Sequence, residues 1–274
     1  MKATIGEITA KLDAIYPHVW AADWDRVGSV CGRPGTAVTR VLFAVDCVPS
    51  TVAEAREVGA QLLVTHHPLL LRGVSTVAPT TYKGEIVHSL IESGIGLYVA
   101  HTNADVAAPG VSDALAGRLG LSDLRPLEPT EEGRGIGRVG RLPEPTTLSA
   151  FASVVAQALP ATAAGIRVAG DPGRRVSMVA VSGGAGDGYL SQARDCGADV
   201  YVTADLRHHV AGEYIEEPGP ALIDAAHWAT ERPWLDLVAA QVRHAFDVDT
   251  VVSDRNTDPW TLHVASSDGQ QLHS

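Results

Sequence analysis

Cysteine is scarce in this chain. Its 274 residues hold three, Cys31, Cys47 and Cys196, odd in number and far apart. They form no CxxC pair and no even set of the kind a disulfide framework needs, so they read as small core residues of a reducing compartment. Long apolar runs are also missing. No stretch approaches the ~18 consecutive apolar residues that a membrane span requires. An excess of positive charge is absent too. The formal net charge is −11; a phosphate backbone would repel such a surface, and general nucleic-acid binding is not expected. The opening MKATIGEITAKLDAIYP places Thr4 and Glu7 at capping-box spacing and Ile8 and Leu12 on one helical face. It reads as an amphipathic helix and not as a signal peptide, and the expected location is cytoplasmic.

Apolar residues make up 45% of the chain and charged residues 19%. That balance suits a globular protein of one large domain or two ordinary ones. Eight runs read as strands: 40–46, 61–65, 96–100, 165–169, 176–182, 199–203, 221–225 and 247–253. Most are continuous and β-branched, as strands covered on both faces are. Helical patterns lie between them, at 50–58, 84–93, 112–119, 147–159, 188–196, 207–216 and 231–245. This alternation predicts an α/β fold with helices on the sheet faces. Segment 122–146, rich in Pro, Glu and Gly, reads as an irregular connector.

Comparing the chain with itself is more informative. AREVGAQLLVT (55–65) aligns without gaps on ARDCGADVYVT (193–203), with six of eleven positions identical. Downstream, each copy has a strand followed by His-x-x-x-acid: His101 and Asp105 in the first, His227 and Glu231 in the second. The distance from Thr65 to His101 is 36 residues and from Thr203 to His227 it is 24, so the first copy carries about twelve more, placed in loop 68–83. Two echoes in the same order point to an internal duplication. The expected architecture is two similar α/β domains packed about a pseudo-twofold, spanning 1–122 and 123–274. The C-terminal helix and strand are free to pack back on the first half.

In open α/β sheets, ligands bind beyond the carboxyl ends of strands. His66, His67, His101, Asp105, His227 and Glu231 all fall just after such ends. Four imidazoles and two carboxylates are costly to hold together without a cation. A divalent metal resolves this, and imidazole with carboxylate suits Zn, Fe, Mn, Co or Ni. One catalytic metal typically keeps three protein ligands and an open position. Six candidates fit two metals sharing a bridging carboxylate, and such a pair can activate a water and clamp a substrate oxygen. His227 is expected in the loop before its helix, with Thr230 as cap, Glu231 at the helix N-terminus and Pro233 in the first turn. Asp105 is expected similarly, ahead of the helix in APGVSDALAGRL. His101 reads either as a ligand or as a residue orienting Asp105.

Two further motifs belong to the second copy. SGGAGDG (182–188), between a strand and a helix, offers backbone amides to a phosphate or forms a plain tight turn. His208 and His209 sit where the second copy's pocket would be. They are helix-surface residues or, His209 especially, catalytic proton carriers.

VTHHP, AHTNAD, SGGAG, YVTADLRHH and DAAHWATE, in this order, resemble the Nif-three-like family, also called the dinuclear-metal-centre hexameric family or the type 2 GTP cyclohydrolase I homologues. The resemblance runs from about Trp24, at WDRVGSVCG, to about residue 253. It implies two α/β domains with a dinuclear site in the cleft between them and a toroidal homohexamer. By motif, the metal ligands carry over to His66, His67, Asp105, His227 and Glu231, with Glu231 bridging; His101 matches a family histidine. His209 matches a recurring histidine after an element that here reads Thr203-Ala204-Asp205, with Ala in place of a Gly.

The function expected first is a metal-dependent hydrolase with two divalent ions per subunit and a small-molecule substrate. The family name suggests a purine nucleotide such as GTP; a phosphoester or an amide suits the same metals. The alternative is a non-enzymatic protein, either a metal storage or delivery module or a regulatory scaffold.

Overall fold

The β-branched runs do become strands, and the alternation does become a layered α/β fold. The computed structural model describes residues 2–130 and 133–264. The first half runs α1 (Ile5–Ile15), β1 (Gly28–Cys31), β2 (Arg40–Ala44), α2 (Pro49–Glu57), β3 (Leu62–Thr65), α3 (Tyr82–Glu92) and β4 (Gly96–Val99). Helices α4 (Thr102–Val106) and α5 (Val111–Arg118) and strands β5 (Ser122–Pro129) and β6 (Gly135–Thr147) follow. The second half repeats the order with α6 (Leu148–Ala158), β7 (Arg167–Ala169), β8 (Arg175–Ala185), α7 (Leu190–Asp195), β9 (Val200–Ala204), α8 (His208–Ile215) and β10 (Ala221–Asp224). Helix α9 (His227–Ala245) and strand β11 (Asp249–Val252) complete the elements.

One sheet has the order β1-β4-β3-β2-β11 and the other β5-β6-β8-β9-β10-β7. The repeated strands keep one arrangement in both, β1-β4-β3-β2 against β7-β10-β9-β8, with three parallel central strands and an antiparallel first strand. The duplicated segment is the same helix, turn and central strand in each, α2–β3 and α7–β9. Strand β11 pairs parallel with β2, placing Val251 opposite Leu42 in the first sheet.

Side chains alternate across each strand. Val41, Phe43, Leu62 and Val64 face a shared core with Val179, Val181, Val200 and Val202 of the other sheet. Between them lie α1, α5, α6 and α9, through Leu12, Leu115, Phe151, Trp234 and Val238. The opposite parity faces outward. Leu42, Leu63 and Leu97 pack under α2 and α3, and Ala180, Tyr201 and Leu222 under α7 and α8. Both sheets are thus covered on both faces, which explains their unbroken apolar strands.

Thr4 caps α1 as expected, its hydroxyl accepting from the Glu7 amide at 3.3 Å while Glu7 Oε2 accepts the Thr4 N–H at 2.8 Å. Segment 122–146 is not an irregular connector. It forms β5 and β6, an antiparallel pair that continues the second sheet beyond β8. Buried Arg138 fastens it, donating to both Asp113 oxygens at 2.7 and 2.6 Å and to the Ala107 carbonyl at 2.7 Å. Helix α9 begins earlier than expected, at His227, so His227 and Glu231 share one helical face and Pro233 lies inside the helix. Thr230 is not its cap. Its hydroxyl donates to the His227 carbonyl at 2.7 Å and accepts the Gly184 amide at 2.9 Å. Asp105 lies ahead of α5 as expected, but within a helical turn of its own, short α4, four residues after its N-cap His101. Among the described residues, no helix is long and apolar enough to cross a membrane.

Candidate metal centre

Each imidazole of the centre enters from a strand end or the helical turn behind it. His66 and His67 follow β3, His101 follows β4, and His227 opens α9 beyond β10. Every one is fixed through Nδ1. That of His66 donates to the Ala100 carbonyl at 2.9 Å, that of His67 to Asp46 Oδ1 at 2.7 Å, that of His101 to Asp25 Oδ1 at 2.8 Å and that of His227 to Asp205 Oδ2 at 2.6 Å. A carbonyl or carboxylate can only accept, so each Nδ1 carries the proton. Whenever such a ring is neutral it presents a bare Nε2, the tautomer a metal needs.

Those nitrogens converge. His227 Nε2 lies 2.9 Å from Glu231 Oε1, His67 Nε2 is 3.1 Å from Oε2, and His66 Nε2 is 3.5 Å from Oε1 and 3.8 Å from Asp105 Oδ1. His67 and His227 face each other, Nε2 to Nε2, at 3.3 Å. Ligand atoms of His66, His67 and His101 lie within 4.8 Å of one another, and so do those of His67, His227 and Glu231. Either group could hold a metal, and His67 belongs to both. The fit is supported by two orphans. His66 Nε2 and Glu231 Oε2 are buried and have no hydrogen-bond partner, an arrangement costly unless something else binds them.

The carboxylates and imidazoles shift one another. Burial opposes charge on His67 more than any other single influence, but Glu231 and Asp46 together outweigh it and raise its pKa to about 10. Burial likewise opposes charge on His227, and Glu231 and Asp205 carry it to about 11. For Glu231 burial pushes upward, and the surrounding histidines hold it well below the carboxylate range. Burial raises Asp105 despite His66 and His101 nearby.

The structure therefore brings together His66, His67, His101, Asp105, His227 and Glu231. His101 is anchored by Asp25, and its ligand atom lies within 4.8 Å of those of His66 and His67. His208 and His209 are exposed in the first turn of α8, with rings 5.1 Å apart, outside this group. The SGGAGDG segment continues β8 and presses on the centre. A Cβ on Gly184, at φ +65°, would lie 2.4 Å from Glu231 Oε1. The amide of Gly184 is spent on Thr230 and that of Gly186 points to the Ala204 carbonyl, so neither is free for a phosphate. The sequence did not mark the anchors Asp25, Asp46 and Asp205, whose partners lie 76, 21 and 22 positions away.

A cleft of about 850 Å³ opens beside the centre. His67, His101 and His227 line it together with Leu71, Ile166 and Trp260.

A duplicated, doubly covered α/β scaffold with four anchored histidines, three of them closing on a buried glutamate, defines the class of protein. Its family follows from relatives. Residues 3–259 match the Duf34/NIF3 (NGG1p interacting factor 3) family, and the chain belongs to it. It is 54% identical over 272 residues to the GTP cyclohydrolase 1 type 2 homolog of Streptomyces coelicolor, covering 96% of this chain and 95% of the relative. The protein of that name from Clostridium perfringens is 32% identical, with 93% and 98% covered. Among solved structures, a Bacillus cereus protein related to NIF3 superposes with a TM-score of 0.88 at 25% identity, covering 96% of this chain and all of that one. A hypothetical protein of Staphylococcus aureus matches with the same TM-score at 28% identity and the same coverage.

Proposed function

We propose that this chain is a metal-dependent hydrolase with two divalent ions bound by His66, His67, His101, Asp105, His227 and Glu231. One observation carries the reading. Four imidazoles are held through Nδ1, and three of them, His66, His67 and His227, turn Nε2 onto a glutamate whose second oxygen lacks a hydrogen bond. Ions there would supply Lewis-acid polarisation of a substrate oxygen and activation of a water. The protein's share is to hold the ligands rigid: Asp25, Asp46 and Asp205 fix three rings, and Gly184 leaves room for the Glu231 carboxylate. Glu231 belongs to one group and lies 3.5 Å from His66 of the other, so its carboxylate would serve both ions. His67 and His227, about a quarter and a third exposed, face the cleft where a substrate would enter.

The relatives' name makes a purine nucleotide the first substrate to try, and phosphoesters and amides the next. The resemblance further suggests a homohexamer, which light scattering would test. Elemental analysis of protein purified without a tag is the direct test of the centre, followed by hydrolase screening with Zn, Fe, Mn, Co and Ni. About two ions per chain, their loss in Glu231→Gln and a matching loss of turnover are expected. Unchanged metal content and turnover in that variant sink the two-metal reading. Labile, variable loading with transfer to an apo-acceptor and no turnover favours storage or delivery instead.

A further inference from the structure

The four anchors differ in how firmly they are themselves held. The carbonyl of Ala100 is main chain at the end of β4, where the Ala100 amide bonds Thr65. Asp25 is gripped from three more sides: the Arg26 amide meets Oδ1 at 2.7 Å, and the Thr102 amide and hydroxyl meet Oδ2 at 3.0 and 2.5 Å. Asp46 has none of this local support. Its Oδ1 accepts from His67, and its Oδ2 accepts from the hydroxyl of Thr257 at 2.5 Å, a residue 211 positions away.

Thr257 sits on a strap that leaves β11 and crosses to the second half. Ser253 starts it, donating its amide to the Phe43 carbonyl at 2.8 Å and its hydroxyl to Glu54 at 2.6 Å. Arg255 grips Glu57 at 2.7 Å, and Asn256 reaches the Ala161 carbonyl at 3.2 Å. The strap then continues as Trp260 and Leu262, which wall the cleft. A carboxylate bonded through one oxygen can turn about its own axis; bonded through both, it cannot. Thr257 therefore sets the plane in which Asp46 meets His67, the one histidine common to both metal-capable groups.

We infer that Thr257 is a positioning residue of the metal centre, acting on His67 through Asp46, and that the C-terminal strap is part of the site. This rests on the metal-centre reading above, so the experiment has one arm that needs no metal. In Thr257→Val, which keeps the shape and removes the hydroxyl, affinity for Zn or Co measured by chelator competition drops up to about tenfold, the low end of the range for direct partners of a metal ligand, because Thr257 acts one bond further out. The Co absorption spectrum changes with it. Thr257→Ser, which restores the hydroxyl, keeps both near wild type. In an Asp46→Ala background the Thr257→Val effect disappears, because the two act in series. In apo-protein, NMR shows the His67 Nδ1–H signal weakened by Thr257→Val while that of His101 persists. Wild-type affinity and an unchanged His67 signal in Thr257→Val overturn the inference, and so does an effect undiminished in the Asp46→Ala background. Failure of wild type to take up metal overturns the metal-centre reading alone, and the apo-protein signal still decides the role of Thr257.

Discussion

The two halves share a strand order and differ in what they hang on it. The duplicated alignment sets Thr65-His66-His67 against Thr203-Ala204-Asp205. In the first half this turn supplies two ligands. In the second it supplies an anchor, because Asp205 bonds Nδ1 of His227. Three residues beyond the equivalent Phe43 and Val181, the relation reverses. There the first half places an anchor, Asp46, and the second places Gly184, where any side chain would strike Glu231. After the next strand both halves offer His-x-x-x-acid in a helical turn. The first does so on five-residue α4 and the second on nineteen-residue α9. One scaffold thus yields complementary parts. Each half positions ligands, and each furnishes carboxylates that hold imidazoles.

The sharpest way to break this comparison is to erase the difference. His66→Ala with His67→Asp gives the first half the turn of the second, and both metal-capable groups lose members. Elemental analysis should then find essentially no bound metal, while circular dichroism stays near wild type, since the second half folds around that same turn. Retained stoichiometric metal would refute the assignment.

Gly184→Ala comes next. The left-handed backbone costs a non-glycine residue about 1–2 kcal/mol, and the added Cβ displaces Glu231. Thermal unfolding should register that loss, and metal content should fall too; the reference is Gly188→Ala, where a Cβ meets open space.

The anchors give a smaller effect. Asp205→Asn and Asp25→Asn should each weaken metal binding about tenfold to a hundredfold in chelator competition, one acting from each half. A variant that changes affinity in neither half removes the claim that anchoring matters.

Smallest and most gradual is the pH dependence. The side chains of His67 and His227 titrate near 10 and 11 in the folded apo-protein, above their ordinary 6.5. Their contacts with Glu231, Asp46 and Asp205 therefore stabilise apo-protein fully below pH 6.5, and that contribution is lost as pH climbs through 10 and 11. Metal needs the same rings neutral, so its affinity runs the other way and rises with pH. At neutral pH, loading should release roughly two protons per chain, readable by calorimetry in buffers of different ionisation enthalpy. Release near zero would contradict these shifts.

Much of this was legible in the sequence because it is local. The repeat, the central strands and the six metal candidates each sit in a short window with its own period or spacing. The β5–β6 pair was not legible. β5 is mostly exposed and contains Pro126 and Pro129, so it lacks the apolar alternation of a half-buried strand. The start of α9 was misplaced because Thr230 is a good cap by type, whereas Ala226, which takes the cap position, has no side-chain oxygen to give a signal. Asp25, Asp46 and Thr257 reach their partners across 76, 21 and 211 positions. No local pattern distinguishes such residues from ordinary surface ones.

The pairing of β11 with β2 has a consequence for how the molecule is made. A chain emerging from the ribosome folds N-terminal parts first, yet the first sheet keeps an open edge at β2 until residue 252 is out. By then every candidate ligand, His227 and Glu231 included, has been made. A strand made after the whole second sheet closes the edge of the first, and the strap that secures Asp46 follows directly behind it. The support of Asp46 therefore comes after the ligands themselves, and a chain stopped between Glu231 and Thr257 would carry every candidate ligand without the hydroxyl that holds Asp46.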